Sequence, residues 1–318
     1  MQTEVVDVQG LHLHKVQEPD RTEFLKFALR HVTEDISLFP GPQPCSLERS
    51  DYPKLKLQPY MISEKTDGFR MAVLCARYKE LDVICMADRL LNLYLLPIRR
   101  WPTQLFQGTI MDGELCMNRQ TGGMMLMLFD AVLLASVAMY AETFSERLNL
   151  MAIAMERYER DASDPLTVGI KPFVSSALSP ADIKRHLEST KKTFAADGVV
   201  FYPDNEPIVF GRHRTLFKWK EAHTVDFLVG EGRKLRVYDR YKRSNVDVAT
   251  LVAVADDDAD DPPTGCVVEC ECVDLERSVW RVVCARPDKT RANDMMTYER
   301  TMGNIRERLS LDDVLAQL

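Results

Sequence analysis

In the stretch Glu64-Lys65-Thr66-Asp67-Gly68-Phe69-Arg70, a lysine stands two residues before an Asp-Gly pair, a placement that suits covalent chemistry on an amine. The pattern predicts a strand over residues 60–64 with Lys65 at its end, and Asp67-Gly68 turning the chain toward Arg70. An amine held there would leave a rigid element beside an opening for substrate. It must shed a proton before it attacks: from a reference pKa near 10.4 to pH 7, this costs roughly 4.6 kcal/mol. Burial and neighbouring cations lower that cost, so an amine nucleophile calls for a basic cleft. Taken alone, the stretch reads first as an ordinary Asp-Gly hairpin flanked by a solvated lysine.

Thr215-Leu216-Phe217-Lys218-Trp219-Lys220 supplies candidate cations. In a strand, Lys218 and Lys220 share one face while Phe217 and Trp219 anchor the other, an arrangement suited to phosphate. A basic edge strand that blocks aggregation would look similar. In Thr109-Ile110-Met111-Asp112-Gly113-Glu114-Leu115-Cys116, Asp112 and Glu114 fall on one strand face, and Asp197-Gly198 opens a further strand. Carboxylates of this kind suit a ribose hydroxyl or Mg²⁺ or Mn²⁺ rather than zinc. Arg286-Pro287-Asp288-Lys289 leaves a predicted strand with two cations three residues apart, able to grip phosphate oxygens. Cys266, Cys270, Cys272 and Cys284 do not match paired C-x₂-C spacing, and no glycine-rich phosphate loop of the P-loop or Rossmann type occurs.

These residues need elements to hold them. A length of 318 residues suggests two domains. Helices are predicted over residues 22–31 and 145–159, the second opened by Thr143 with Glu146 at capping-box spacing. Strands are predicted over 70–75, 109–117, 125–134 and 198–202. Beyond Lys220 the pattern changes to short strands at 224–229, 234–238, 250–254, 266–273 and 279–284, as in a small sandwich or barrel. Residues 256–261 hold five Asp in six and read as a solvated loop; residues 297–318 read as helical. His12 and His14 alternate with Leu11 and Leu13 and are expected on an exposed strand face.

With 41 basic and 48 acidic side chains, the net charge is −7, so bulk charge will not bring the chain to nucleic acid; any polyanion needs a local basic site. Residues 124–140 form the most apolar run, but at 17 residues with Asp130 inside they suit two buried strands better than a membrane span. There is no secretory signal, and the dispersed cysteines fit reduced thiols. The expectation is a soluble intracellular protein, nuclear, cytoplasmic or virus-encoded, with no membrane partner.

The order of the pieces is more specific than any one of them. Lys65-Thr66-Asp67-Gly68, Asp112-Gly113-Glu114, Leu128-Phe129-Asp130, Asp197-Gly198, Leu216-Phe217-Lys218-Trp219-Lys220 and Arg286-Pro287-Asp288-Lys289 follow one another along the chain. This series resembles the covalent nucleotidyltransferases, the superfamily of mRNA capping guanylyltransferases and ATP-dependent polynucleotide ligases. Within it the chain is most similar to the small stand-alone capping enzymes of viral type. The resemblance implies an α+β fold: a nucleotidyltransferase domain of antiparallel sheets with flanking helices over residues 1–222, and an OB-fold lid over 223–304. A terminal helix at about 305–318 is expected to pack back on the first domain.

The resemblance also implies a reaction and roles. Lys65 would take GMP from GTP as a lysyl-N–GMP adduct and pass it to a 5′-diphosphate RNA end, forming GpppN. Thr66 and Lys171, in Gly169-Ile170-Lys171-Pro172-Phe173, would read guanine, with Phe129 stacked on it. Arg70, Arg89 and Glu114 would hold the ribose, Lys218 and Lys220 the α-phosphate, and Asp197 would act through Mg²⁺ or Mn²⁺. Arg286 and Lys289 would engage the outer phosphates from the lid, with Asp288 beside them. RNA triphosphatase and cap methyltransferase activities would come from separate chains. The alternative within the superfamily is a minimal ATP-dependent ligase acting through lysyl-AMP.

Overall fold

The computed structural model describes residues 1–252, 262–287 and 289–318; the acidic run 256–261, the end of the strand predicted over 250–254, and Asp288 lie outside them. The chain divides into two compact units. One comprises Met1–Ser46, Tyr52–Trp219 and Leu315–Leu318, the other Leu47–Asp51 and Lys220–Val314.

The larger unit begins with β1 (Thr3–Val8), β2 (Leu11–Val16), α1 (Asp20–Leu29), β3 (Pro42–Ser46), α2 (Tyr52–Leu55), β4 (Tyr60–Thr66) and β5 (Phe69–Tyr78). It continues through β6 (Leu81–Ala87), β7 (Leu93–Leu95), β8 (Thr109–Met117), β9 (Met124–Leu134), β10 (Val137–Ala138) and α3 (Phe144–Met155). It closes with β11 (Thr167–Ile170), β12 (Val174–Ser175), α4 (Pro180–Lys191), β13 (Ala196–Pro203) and β14 (Gly211–Lys220). One sheet runs β1-β2-β7-β6-β5-β8-β9-β10, with β11 parallel on β9; the second runs β12-β4-β13-β14-β3.

Both faces of the first sheet are covered at its centre. On β5, Met71, Val73 and Cys75 enter one apolar cluster while Ala72, Leu74 and Ala76 enter another. This explains the unbroken hydrophobic run of β9, since a strand buried on both faces has no reason to alternate. That run forms one eleven-residue strand and the two-residue β10 rather than two comparable strands. Its Asp130 is fully buried and paired. His12 and His14 lie on the exposed face of β2, as their alternation predicts.

The expected hairpin at Asp67-Gly68 does not form. β4 runs through Thr66 in the second sheet while β5 starts in the first, so the turn moves the chain between sheets. Glycine is needed there because a Cβ at position 68 would sit 2.6 Å from the Leu115 carbonyl oxygen of β8.

The smaller unit holds β15 (Thr224–Val229), β16 (Lys234–Asp239), β17 (Ser244–Leu251), β18 (Val267–Asp274), β19 (Val279–Ala285), α5 (Met295–Glu307) and α6 (Leu311–Leu315), the last helix straddling the division between units. Its strands close into a barrel in the order β15-β16-β17-β19-β18, the strand number expected of an OB-type fold. Alternate residues fill the interior: Val225, Phe227 and Val229 meet Leu235, Val237 and fully buried Trp280. Tyr298 and Met302 of α5 pack against this core. Among the described residues, no helix is long and apolar enough to cross a membrane.

Candidate active site

β4 presents Lys65 at its penultimate position. On the neighbouring β13, Ala196 pairs with Thr66 and Gly198 with Lys65, leaving Asp197 as an extra residue. Such a bulge re-aims the side chain it carries, and Asp197 Oδ1 accepts a 2.7 Å hydrogen bond from Lys65 Nζ. The two side chains are 25% and 34% exposed, so an incoming ligand can reach the pair.

Alternation puts Glu64 and Thr66 on the opposite face from Lys65. Glu64 is fully buried. Thr66 Oγ1 donates to Glu64 Oε1 at 3.2 Å and accepts from Lys171 Nζ at 2.7 Å, with Lys171 Nζ also 3.5 Å from Glu64 Oε1. A hydroxyl has one proton, so Glu64 fixes Thr66 as an acceptor toward anything else it meets. The Lys171 backbone N–H donates to Leu128 O at 2.8 Å, securing the segment to β9. Burial holds the Lys171 amine below the usual lysine range, against the opposing influence of Glu64 and Glu114. Burial also pushes the Glu114 carboxyl up to about 7, despite Lys171, Lys65 and Arg70 nearby; Asp112 adds to the rise.

Asp112 of β8 and Asp130 of β9 are register partners, and both are fully buried. Like charges in that position repel, and each is met by an arginine fork. Arg70 donates Nε to Asp112 Oδ1 at 3.0 Å and Nη2 to Asp112 Oδ2. Arg147 donates Nε and Nη2 to the two Asp130 oxygens at 2.7 and 3.1 Å. Arg147 is carried by α3, whose start is fixed by the predicted Thr143–Glu146 capping box.

Arg70 Nη2 also donates to Pro42 O at 2.6 Å, and the guanidinium lies 5.8 Å from the Phe129 ring centroid. Burial disfavours its charge, but Asp112 more than restores it, so Arg70 is held protonated more firmly than usual. Phe129 is buried beside Phe144 and Tyr202. Arg89 is exposed on the turn after β6, where Asp88 Oδ1 accepts from the backbone N–H of Leu90 and Asn92. Its charge interacts with Arg70, Glu114 and Asp112. Next to β13 in the second sheet, β14 buries Phe217 and Trp219 and leaves Lys218 and Lys220 half-buried, as the alternation predicts.

In the smaller unit, Arg286 and Lys289 follow β19, and both are engaged by an acid that motif reading passed over. Arg286 Nη1 lies 3.0 Å from Asp226 Oδ1 and 3.3 Å from Glu269 Oε2, and Lys289 Nζ donates to Asp226 Oδ2. Asp288 lies outside the described residues. Glu64 opened the stretch that carries Lys65 and Asp226 lay in a predicted strand, but neither drew a role; Arg147 had no local pattern to reveal it.

Among the described residues, no group of three or more His, Cys, Asp or Glu side chains is arranged to hold a metal ion. Asp197 is nevertheless a suitable single donor, since Mg²⁺ is commonly held by one or two carboxylates together with substrate phosphates.

A lysine held at a strand end by a carboxylate, with a buried hydroxyl–lysine pair on the opposite face of the same strand, is an arrangement suited to covalent chemistry on an amine. The family described as "mRNA capping enzyme, catalytic domain" matches residues 3–222, and that described as "mRNA capping enzyme, C-terminal domain" matches residues 207–315. The mRNA-capping enzyme subunit alpha of Schizosaccharomyces pombe is 24% identical over 88% of this chain and 80% of its own length. That of Yarrowia lipolytica is 24% identical over 93% and 86%. Both relatives are fungal, whereas the sequence resemblance leans toward viral enzymes. A mycobacterial DNA ligase D complexed with ATP and MES superposes with a TM-score of 0.46 at 14% identity, covering 81% of this chain and 97% of that one. Assignment rests on the sequence matches: the chain belongs to the mRNA capping enzyme family, as a guanylyltransferase.

Proposed function

We propose that Lys65 is the nucleophile that carries GMP. Its neutral amine attacks the α-phosphorus of GTP; the P–N bond forms as the bond to pyrophosphate breaks. A terminal oxygen of a 5′-diphosphate RNA end then attacks the same phosphorus, releasing the lysine and forming GpppN. The observation that carries this reading is the 2.7 Å contact between Lys65 Nζ and the bulged Asp197, which fixes the amine at the strand end.

Thr66 and Lys171 meet the guanine edge, Lys171 donating to the 6-oxygen and Thr66 accepting, with Phe129 against the base. Arg70, Arg89 and Glu114 border the ribose. Lys218 and Lys220 stabilise the negative charge of the transferring phosphate, and Arg286 and Lys289 that of the leaving phosphates. Asp197, with the phosphates, would hold Mg²⁺ or Mn²⁺, which supplies charge neutralisation when bound. Acceptor ends with two phosphates are made from triphosphate ends by a separate RNA triphosphatase, and a cap methyltransferase uses the product. The enzyme works inside the cell.

The test is labelling with [α-³²P]GTP and a divalent cation. Wild type should acquire label that is stable to alkali and released by acid, and Lys65→Ala none. Equal labelling of Lys65→Ala overturns the role of Lys65; labelling from ATP in preference to GTP points to the ligase alternative.

A further inference from the structure

A chain of net charge −7 must meet RNA through a local basic surface, and the nucleotide site accounts only for the phosphates of GTP. The smaller unit has such a surface. Residues 233–243 contain Arg233, Lys234, Arg236, Arg240, Lys242 and Arg243 against one acid, Asp239. Lys234 and Arg236 are occupied by Asp247 at 3.0 and 2.6 Å. Arg240, Lys242 and Arg243 gather at the β16–β17 tip, where Lys242 Nζ lies 3.9 Å from Asp239 Oδ2. A cavity of about 590 Å³ beside it is lined by Arg240, Arg243 and Arg291 with Tyr238, Asn293 and Asp294. Asp294, its acid, is already committed: one oxygen caps α5 at the Thr297 N–H, and the other bonds Arg240.

At the tip, Tyr241 is 99% exposed between Arg240 and Lys242. The loop that presents it is fixed, because Asp239 Oδ1 accepts from the backbone N–H of Tyr241 at 2.9 Å and of Lys242 at 3.1 Å. A single exposed tyrosine is ordinary. One held on a rigid tip beside an arginine-lined groove has the two parts that grip single strands: cations for the backbone and a ring on which a base stacks.

We infer that the β16–β17 tip, with Tyr241, Lys242, Arg243 and the groove reaching Arg291, binds the single-stranded segment of the RNA downstream of its 5′ end. This deepens the proposed function and rests on its reading of RNA as the acceptor. It sets a minimum useful acceptor length and leaves the chemistry with GTP untouched.

The experiment uses the full chain and a 20-nucleotide 5′-diphosphate RNA, with binding followed by fluorescence anisotropy across a salt series. Tyr241→Ala should weaken binding about tenfold, within the range for loss of a base–aromatic stack, while Tyr241→Phe binds as wild type. Lys242→Gln combined with Arg243→Gln should reduce the slope of log affinity against log salt by about 1.4, roughly 0.7 for each lost phosphate contact. Lysyl-GMP formation should be unchanged in all variants; in transfer, KM for RNA should rise with kcat unchanged.

If wild type caps the RNA and Tyr241→Ala matches it in affinity, the tip proposal fails while the functional reading stands. Equal weakening by Tyr241→Phe, or an equal loss on blunt duplex RNA, also overturns it, since neither depends on stacking. If wild type forms the adduct but neither binds nor caps RNA, the functional reading fails and takes this proposal with it.

Discussion

Two regions use the same chemistry, arginine or lysine on aspartate, at very different depths. In the large sheet, Arg147–Asp130 and Arg70–Asp112 are 7% exposed or less on either side, and both arginines are bidentate. On the barrel, Arg286 and Lys289 are 25% and 34% exposed and share Asp226, itself 10% exposed, so water reaches these pairs from the cation side. Burial decides what such a pair can do. A pair cut off from water cannot exchange partners without stranding a charge, so it works as scaffold. A pair that water reaches loses little when a phosphate replaces the carboxylate. In the role proposed above, Arg286 and Lys289 would have to exchange Asp226 for phosphate, whereas the sheet arginines keep their partners.

Breaking a buried pair should have the largest effect on stability. Arg147→Ala leaves Asp130 uncompensated and should cost about 3–5 kcal/mol in chemical denaturation. The double change Asp130→Leu with Arg147→Met should recover most of it; no recovery would mean that the pair does more than neutralise itself. Glu64→Met, which removes the oxygen that accepts the Thr66 proton, should lower selectivity for GTP over ATP in adduct formation about tenfold, roughly 1.4 kcal/mol. Unchanged selectivity would place Thr66 away from the base.

Asp226→Asn should lower KM for GTP in the adduct step several-fold with stability changed by no more than about 1 kcal/mol. A raised KM would show that Asp226 positions the cations rather than competing for them. A separate effect is on pH dependence. Glu114 keeps its proton to about 7 when folded but releases it near the ordinary 4.5 when unfolded. Between those values the native state binds more protons, so stability falls as pH rises through the window. Denaturation midpoints of Glu114→Gln should lack that decline.

Much of this was legible in the chain. Phe217 and Trp219 buried against Lys218 and Lys220 follow from strand alternation, and the Thr143–Glu146 box from spacing. The short strands after Lys220 gave a barrel because each alternates and none could bury its face alone. The Asp67-Gly68 turn misled, since an identical pair makes hairpins elsewhere and only packing against Leu115 O separates the sheets. Helix α4 and strands β1, β3 and β6 were missed; the strongly amphipathic α4 is mostly polar, with only Ile183, Leu187 and Thr190 buried.

Residue type and order alone settled that an amine, a set of cations and a few carboxylates follow one another in an order that resembles the nucleotidyltransferases. They could do so because reactivity belongs to the side chain and order survives divergence. Which acid meets which base was decided only in three dimensions. Arg147 reaches Asp130 from a helix, Asp197 reaches Lys65 through one extra residue in a strand, and Asp226 gathers two cations 60 and 63 positions away. Charge pairing depends on distance and burial, and neither is written in the spacing of residues along a chain.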